Sequence, residues 1–477
     1  MVMKQRSVVS LASDHFNAWQ ASVMRAQMLD MWARGENDDP SMPARAESSA
    51  EYRALREMSP TPWAHLIVSS VAQAIAVAEQ RDEDGKPTAT FKAAWGPNSM
   101  LSRQQAITRG ALAQNVGYAI TLPGRRPHTG ALMPVIRGAS ATQMAAFYDD
   151  EATDDFARFA MHGKLQRLED GTRFIAMKVY DEDAVYHLSC GLDGGRMTFI
   201  ETRVHGVGVT PVHRFSPRLD LEGRAWGEVE PFLPNLRRLD QDVFDRLVVQ
   251  RFNSWRVRYA TGILQPNTPE ERAAASLALR IEDLLVSENP NTKFGTLDPT
   301  DMKPYIDAHD SDVRDLAAVS QTPPHHLLGQ MVNLSAEALV AAETSLMRKV
   351  DEYRNSFAQS WDSVLRSCAF IMANSKEVPD RAVYEAEATN YDLSIRWKDT
   401  SSRSLAQAAD ALGKIADMLN VPVEMLWEEL PFWKKGDTDR AKGILEERGA
   451  DALLMRFLDE ATANSRRQEA ANVGPAD

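Results

Sequence analysis

Two adjacent histidines, His325 and His326, stand behind two prolines in the stretch SQTPPHHLLGQMVNLSAEAL, residues 320–339. Imidazoles ligate divalent metals and titrate near neutral pH, so such a pair could hold a cation or sense protons. Neighbouring loop residues usually point their side chains apart, which favours a plain polar loop over a metal site. His187 and Cys190 are spaced like metal ligands, but two partners are missing and both sit in an alternating run, so packing is expected of them. Asp149 with Asp150, Asp154 with Asp155, and Asp181 with Asp183 could ligate magnesium, although acidic pairs in loops and helix starts are mostly solvated. GVGVTP at 206–211 lacks the third glycine of a dinucleotide fingerprint, and neither a phosphate loop nor a G-x-S-x-G elbow occurs. The expectation is a chain without catalytic residues, metal ligands or cofactor. A metal-dependent nuclease or hydrolase, its carboxylates or histidines converging from distant positions, stays open as an alternative.

The histidines need elements to hold them. After them, Leu339, Ala342, Leu346, Val350, Tyr353, Phe357, Trp361, Val364, Cys368 and Ile371 recur at steps of three or four. A continuous helix over that pattern would run roughly 55 to 60 Å, with Leu346, Val350, Tyr353, Phe357 and Trp361 as its core. A kinked pair of core helices or a coiled coil fits the same pattern. Before the histidines, DAHDSDVRDLAAVSQ at 307–321 reads as a helix of about four turns with an acidic face of Asp307, Asp310, Asp312 and Asp315. Pro323 and Pro324 must end it, since neither donates a backbone hydrogen bond. Asn333 or Ser335 is the expected cap of the long helix, and Glu337 in the first turn suits its dipole. The interruption is thus a loop of about a dozen residues held between two helix ends, able to move while its anchors stay rigid. Further upstream, 234–262 carries one apolar stripe of Leu236, Leu239, Val243 and Leu247. Phe244, Val248, Phe252, Trp255 and Tyr259 form a second, predicting a helix with neighbours on two sides that stops at Gly262.

The remaining chain divides by texture. Helical spacing covers 11–34 and 62–80, separated by a polar, proline-bearing loop. Between 131 and 215, short alternating runs such as RFIAMKVY, AVYHLSC, RMTFIETRV and GVGVTPVHRF, broken by DED and GLDGG, predict an antiparallel sheet of modest size. From 234 to 370 helix dominates, and shorter helices follow 401. The class is therefore α+β, mainly α-helical. The 477 residues suggest two to four subdomains. A formal net charge of -13 argues against a protein that coats nucleic acid, though not against one that lets DNA slide past. With two cysteines, no signal-like start and no apolar run of spanning length, the expectation is a soluble chain in a reducing, cytoplasmic setting.

DLAAVSQTPPHHLLGQMVNLSAEALVAAETSLMRKVDEYRNSFAQSWDSVLR, at 315–366, resembles the portal proteins of tailed bacteriophages, particularly those of actinobacterial phages. TPWAHLIVSSVAQAIAV, AAWGPNSMLSRQQAITRGALAQNVGYAI and YDLSIRWKDTSSRSLAQAADALGKI match further blocks in family order, so the resemblance spans most of 50–430. It implies a portal-type fold in a ring, usually of twelve subunits, at one capsid vertex of the virion. Double-stranded DNA passes through that ring without sequence specificity. It also implies assembly in the host bacterial cytoplasm, no membrane partner, and contacts with the terminase large subunit, the major capsid protein, a head-tail adaptor and a scaffold protein. Carried onto this chain, 1–219 would be the wing, 220–260 the first stem helix region, 261–304 the clip and 305–320 the second stem helix. Residues 321–334 would be the tunnel loop, 335–400 the long wing helix with a returning strand and 401–460 the crown; 461–477, outside the resemblance, has too few apolar residues to order itself and is expected to be a disordered tail. Thr322, Pro323, Pro324, His325, His326, Gln330 and Asn333 would then face DNA. A non-portal helical structural or scaffold protein of a phage particle is the remaining alternative.

Overall fold

The computed structural model describes residues 2–37, 50–126, 128–253, 258–261, 293–296, 298–329, 336–398, 405–419, 421–427, 438 and 440–447. They fall in two compact units, 1–398 and 399–477. The first unit opens with helix α1 (Gln5–Arg34), whose Val8, Ala12, Phe16, Trp19, Val23, Ala26 and Leu29 are buried at steps of three and four. Gly35 ends it at φ 69°, in the left-handed region that glycine enters without strain. Then come α2 (Ala50–Glu57), α3 (Trp63–Gln73), β1 (Val77–Arg81), α4 (Ala89–Ala94) and α5 (Met100–Gln114). The 62–80 stretch is therefore not one helix. β1 pairs antiparallel with a strand more than three hundred residues later (Val77 opposite Trp397, Arg81 opposite Ser394), and that ladder overrides the helical spacing.

The strand-rich middle holds β2 (Gly117–Arg125), β3 (Leu132–Ser140), β4 (Met144–Phe147), β5 (Phe159–Arg167), β6 (Arg173–Tyr180), β7 (Ala184–Cys190), β8 (Thr198–Val204) and β9 (Val212–Phe215). The single modest sheet expected over 131–215 is two sheets, one ordered β4-β5-β6-β7-β8 and one ordered β3-β2-β9. The second starts at Gly117, earlier than the alternation suggests. β2 is buried on both faces over its first half and so shows no polar alternation. The first half of α1 packs on the five-stranded sheet through Phe16 and Trp19 against Met161, Met177 and Tyr186. Gly163 permits this approach, since a Cβ there would lie 2.4 Å from the Trp19 ring.

Short strands β10 (Arg218–Leu219) and β11 (Ala225–Trp226) lead into α6 (Leu233–Asn253). The helix expected to run to Tyr259 stops at Asn253. Tyr259 lies in β12 (Arg258–Thr261), paired with β13 (Lys293–Thr296), because a hydrogen-bonded ladder with a later segment takes RYAT out of the helix. Trp255 and most of 261–304 lie outside the described residues. α7 (Lys303–Val319) returns antiparallel to α6: Asn253 exchanges hydrogen bonds with the Thr300 backbone at 2.8 and 3.1 Å, while Arg238 reaches Asp312 near the other end.

A one-turn helix α8 (Pro324–Leu328) precedes α9 (Ala336–Ala373), a continuous helix of 38 residues. Of the three readings open for the long apolar pattern, the single helix is the one observed, about 57 Å long. Its buried Leu346, Val350, Tyr353, Phe357, Trp361, Val364 and Cys368 join α3, α5, α7 and β9 in the largest core cluster. Trp361 meets Trp95 and Phe215 edge-on, with ring centroids 5.1 and 4.7 Å away. α10 (Arg381–Thr389) and β14 (Ser394–Trp397) close the unit. The second unit contains α11 (Leu405–Leu419) and α12 (Val423–Leu426), with Met418, Leu419 and Val423 exposed. The class is thus mixed α+β, helices with several small antiparallel sheets. Among the described residues no helix is long and apolar enough to cross a membrane.

Candidate functional site

The turn from α7 into α8 is closed by backbone geometry. The Thr322 N–H donates to the Ala317 carbonyl at 3.0 Å and the Gln321 N–H to Ala318 at 3.3 Å, with Gln321 left-handed at φ 53°. These two hydrogen bonds satisfy two of the carbonyls that a helix end leaves open. The Ser320 hydroxyl donates to Thr322 Oγ1 at 3.0 Å inside the turn. α7 has ended before the prolines are reached, and Pro324 begins α8 in the first turn, where a missing N–H costs no intrahelical bond. The interruption is therefore a turn, a one-turn helix and a further segment rather than a plain loop. Thr322 and Pro323 are buried, Pro324 is exposed, and His325 and His326 are half-buried. Gln330 and Asn333 lie outside the described residues, as does Ser335, and so does the side chain of Glu337.

Beneath this turn sits a charged cluster that the sequence reading missed. Lys349 projects from the buried face of α9 and donates to Glu228 Oε2 at 2.7 Å and to the Ser320 carbonyl at 2.6 Å. The hydroxyl of Tyr353, one turn further along α9, donates to Glu228 Oε1. Glu228 is itself pinned, its N–H donating to the Leu112 carbonyl at 2.7 Å. Burial pulls the Lys349 ammonium below its usual range while Glu228 opposes the shift. Burial, with the carboxylate of Glu228 second, pushes the Tyr353 phenol upward. The side chains of Lys349 and Glu228 are only 2% and 1% exposed, so the cluster fixes chain geometry and offers solvent no reactive atom. Its signal in the sequence was the position of Lys349 among Leu346, Val350 and Tyr353, inside the apolar stripe.

The four aspartates expected on one acidic face do not share one. At 100° per residue their directions spread over roughly 200° of α7. Asp312 and Asp315 turn toward Arg238 of α6, at 2.9 and 3.5 Å. Asp307 pairs with Lys303 on its own helix at 3.1 Å, and Asp310 is half-buried. Asp242 of α6 abuts Asp312, and burial followed by that neighbour pushes its carboxyl up to about 6. Two carboxylates and one arginine thus tie α6 to α7.

Of the acidic pairs, Asp150, Asp154 and Asp181 act as turn fasteners, while Asp149 pairs with Arg158 and Asp155 accepts from Gln359. Asp150 accepts from Ala152 and Thr153, Asp154 from the Asp150 N–H, and Asp181 from the Asp183 and Ala184 N–H groups and the Tyr186 hydroxyl. His187 and Cys190 lie an odd number of residues apart on β7 and so on opposite faces, His187 3.8 Å from Glu201 and Cys190 in the core. The adjacent histidines depart from expectation. Their rings meet edge to face with centroids 4.5 Å apart, because successive residues of a helix are rotated by only about 100°. Glu343 of α9 joins them, and one ligand atom from each of the three lies within 4.8 Å of the others.

The family model described as "Phage portal protein, SPP1 Gp6-like" matches residues 14–452. The chain belongs to the phage portal protein family. It is similar to the portal protein of Mycobacterium phage L5, 25% identical over 218 residues that make up 44% of this chain and 43% of the relative. It is also similar to the portal protein of Mycobacterium phage D29, 27% identical over 133 residues, 28% of this chain and 26% of the relative. The matched portal segments span less than half the length of either curated relative.

Proposed function

We propose that copies of this chain form a closed ring at one vertex of a phage capsid, through which DNA enters during packaging and leaves on ejection. The match of a portal family model to residues 14–452 carries this reading. The role is structural rather than enzymatic. In this assignment 1–219 is the wing, 220–260 with α6 and 305–320 with most of α7 are the stem, and 261–304 is the clip. Residues 321–334 form the tunnel loop, 335–400 rejoin the wing and 401–460 form the crown. The ring docks the terminase motor, the capsid and scaffold proteins and a head-tail adaptor.

Physical features support the reading. α6 is buried at Leu236, Leu239, Val243 and Phe244 but half-exposed at Leu247 and Val248, and α11 leaves Met418 and Leu419 in solvent. A neighbouring subunit would cover such surface. A net charge of -13 is compatible with a channel that must pass DNA of any sequence without binding it tightly. Native mass measurement with end-on electron imaging tests it. A cyclic oligomer with a central hole is expected, whereas rods, or a stable monomer at every salt concentration, would overturn the assignment.

A further inference from the structure

We propose that His325, His326 and Glu343 form a binding site for a first-row divalent cation of the zinc type, which clips α8 onto α9. The two imidazoles leave α8 on the same side, their rings 4.5 Å apart, and the carboxylate comes from the eighth residue of a different helix. Donor atoms of all three lie within 4.8 Å of one another. Ligands bound tetrahedrally at about 2.0 to 2.1 Å would stand roughly 3.3 Å apart. Closing the difference takes small side-chain rotations, open to half-buried groups. Two imidazole nitrogens and one carboxylate oxygen suit zinc, cobalt or nickel better than the all-oxygen preference of magnesium or calcium. Three protein ligands leave a fourth position for water, which partial exposure permits. Neighbouring groups add support. Leu327, between the histidine and the end of α8, is buried in the main core, so the helix that presents the rings is anchored. Gly329 at φ 64° ends α8 with its N–H donating to His325 at 3.1 Å, which holds the first ring's backbone in place.

The site does not depend on ring formation, and its test uses the untagged full-length chain in whatever assembly state it takes. Zinc chloride is titrated by calorimetry into the EDTA-treated protein and into His326→Gln, Glu343→Gln and Cys190→Ser variants, each checked for native circular dichroism. One zinc per chain is expected for the parent and for Cys190→Ser. Weakening by at least about tenfold is expected for each of the other two, since a direct ligand is gone. Cobalt substitution supplies a second readout, with visible bands of imidazole-bound cobalt that vanish in His326→Gln. Amide exchange within 324–328 should slow when zinc is added. Absence of zinc binding in the parent, or stoichiometric binding that survives both ligand substitutions, would overturn the site, as would binding lost in Cys190→Ser.

Discussion

Replacing Lys349 with methionine removes the centre of the buried cluster while keeping most of the length of the side chain. In the native protein its ammonium lies 2.7 Å from Glu228 and 2.6 Å from the Ser320 carbonyl, both away from solvent. After Lys349→Met the Glu228 carboxylate stays buried with Tyr353 as its remaining donor within the cluster, and the Ser320 carbonyl loses its lysine. An uncompensated buried charge of this kind costs about 3 to 5 kcal/mol. The charge, not the lost packing, should dominate, because methionine fills most of the same volume. Combining Lys349→Met with Glu228→Gln removes both charges, so the double variant should recover roughly 2 kcal/mol relative to the sum of the singles. The assay is urea unfolding followed by tryptophan fluorescence at one protein concentration, with slopes compared so that a change in the unfolded state is not mistaken for stability. Amide exchange at Gln321 and Thr322 should also quicken in Lys349→Met, because the lysine holds the carbonyl that starts their turn. A loss below about 1 kcal/mol, or strict additivity of the two substitutions, would show that the ion pair is not what braces this turn.

Two further outcomes are expected of the helices themselves. The Asp242 carboxyl rises from 3.8 to about 6 on folding through burial and Asp312, with Arg238 opposing, so its contribution is complete below 3.8 and lost as pH climbs through 6. Asp242→Asn should remove that loss and stabilise the protein at alkaline pH by about 1 kcal/mol after allowing for solvent screening at a half-exposed site. A melting curve whose pH dependence is unchanged in the variant would sink this account. Trp361→Ala in α9 should destabilise by about 3 to 5 kcal/mol, since a side chain 1% exposed and wedged between Trp95 and Phe215 leaves a cavity. A wild-type midpoint in chemical denaturation would contradict that packing.

What the sequence determined is local and periodic. The steps of three and four in α9 and α1, the end of α7 near the prolines, the β6 and β7 runs and the family blocks could all be read from neighbouring residues, because helical and strand periodicities are short-range properties. What the tertiary structure decided involves partners far apart in the chain. β1 became a strand because residues 394–397 lie beside it, and Tyr259 left the helix because 293–296 offered a ladder. Helical spacing alone spreads the aspartates of α7, but only the fold sets Arg238 and Asp242 of α6 against Asp312. Lys349 in an apolar stripe was visible, yet nothing local could name Glu228, 121 positions earlier, as its partner. The same holds for Glu343 beside the histidines. A buried charge or a cluster of ligands is satisfied by whatever residue the fold brings within hydrogen-bonding or coordination reach, and sequence spacing carries no record of that distance.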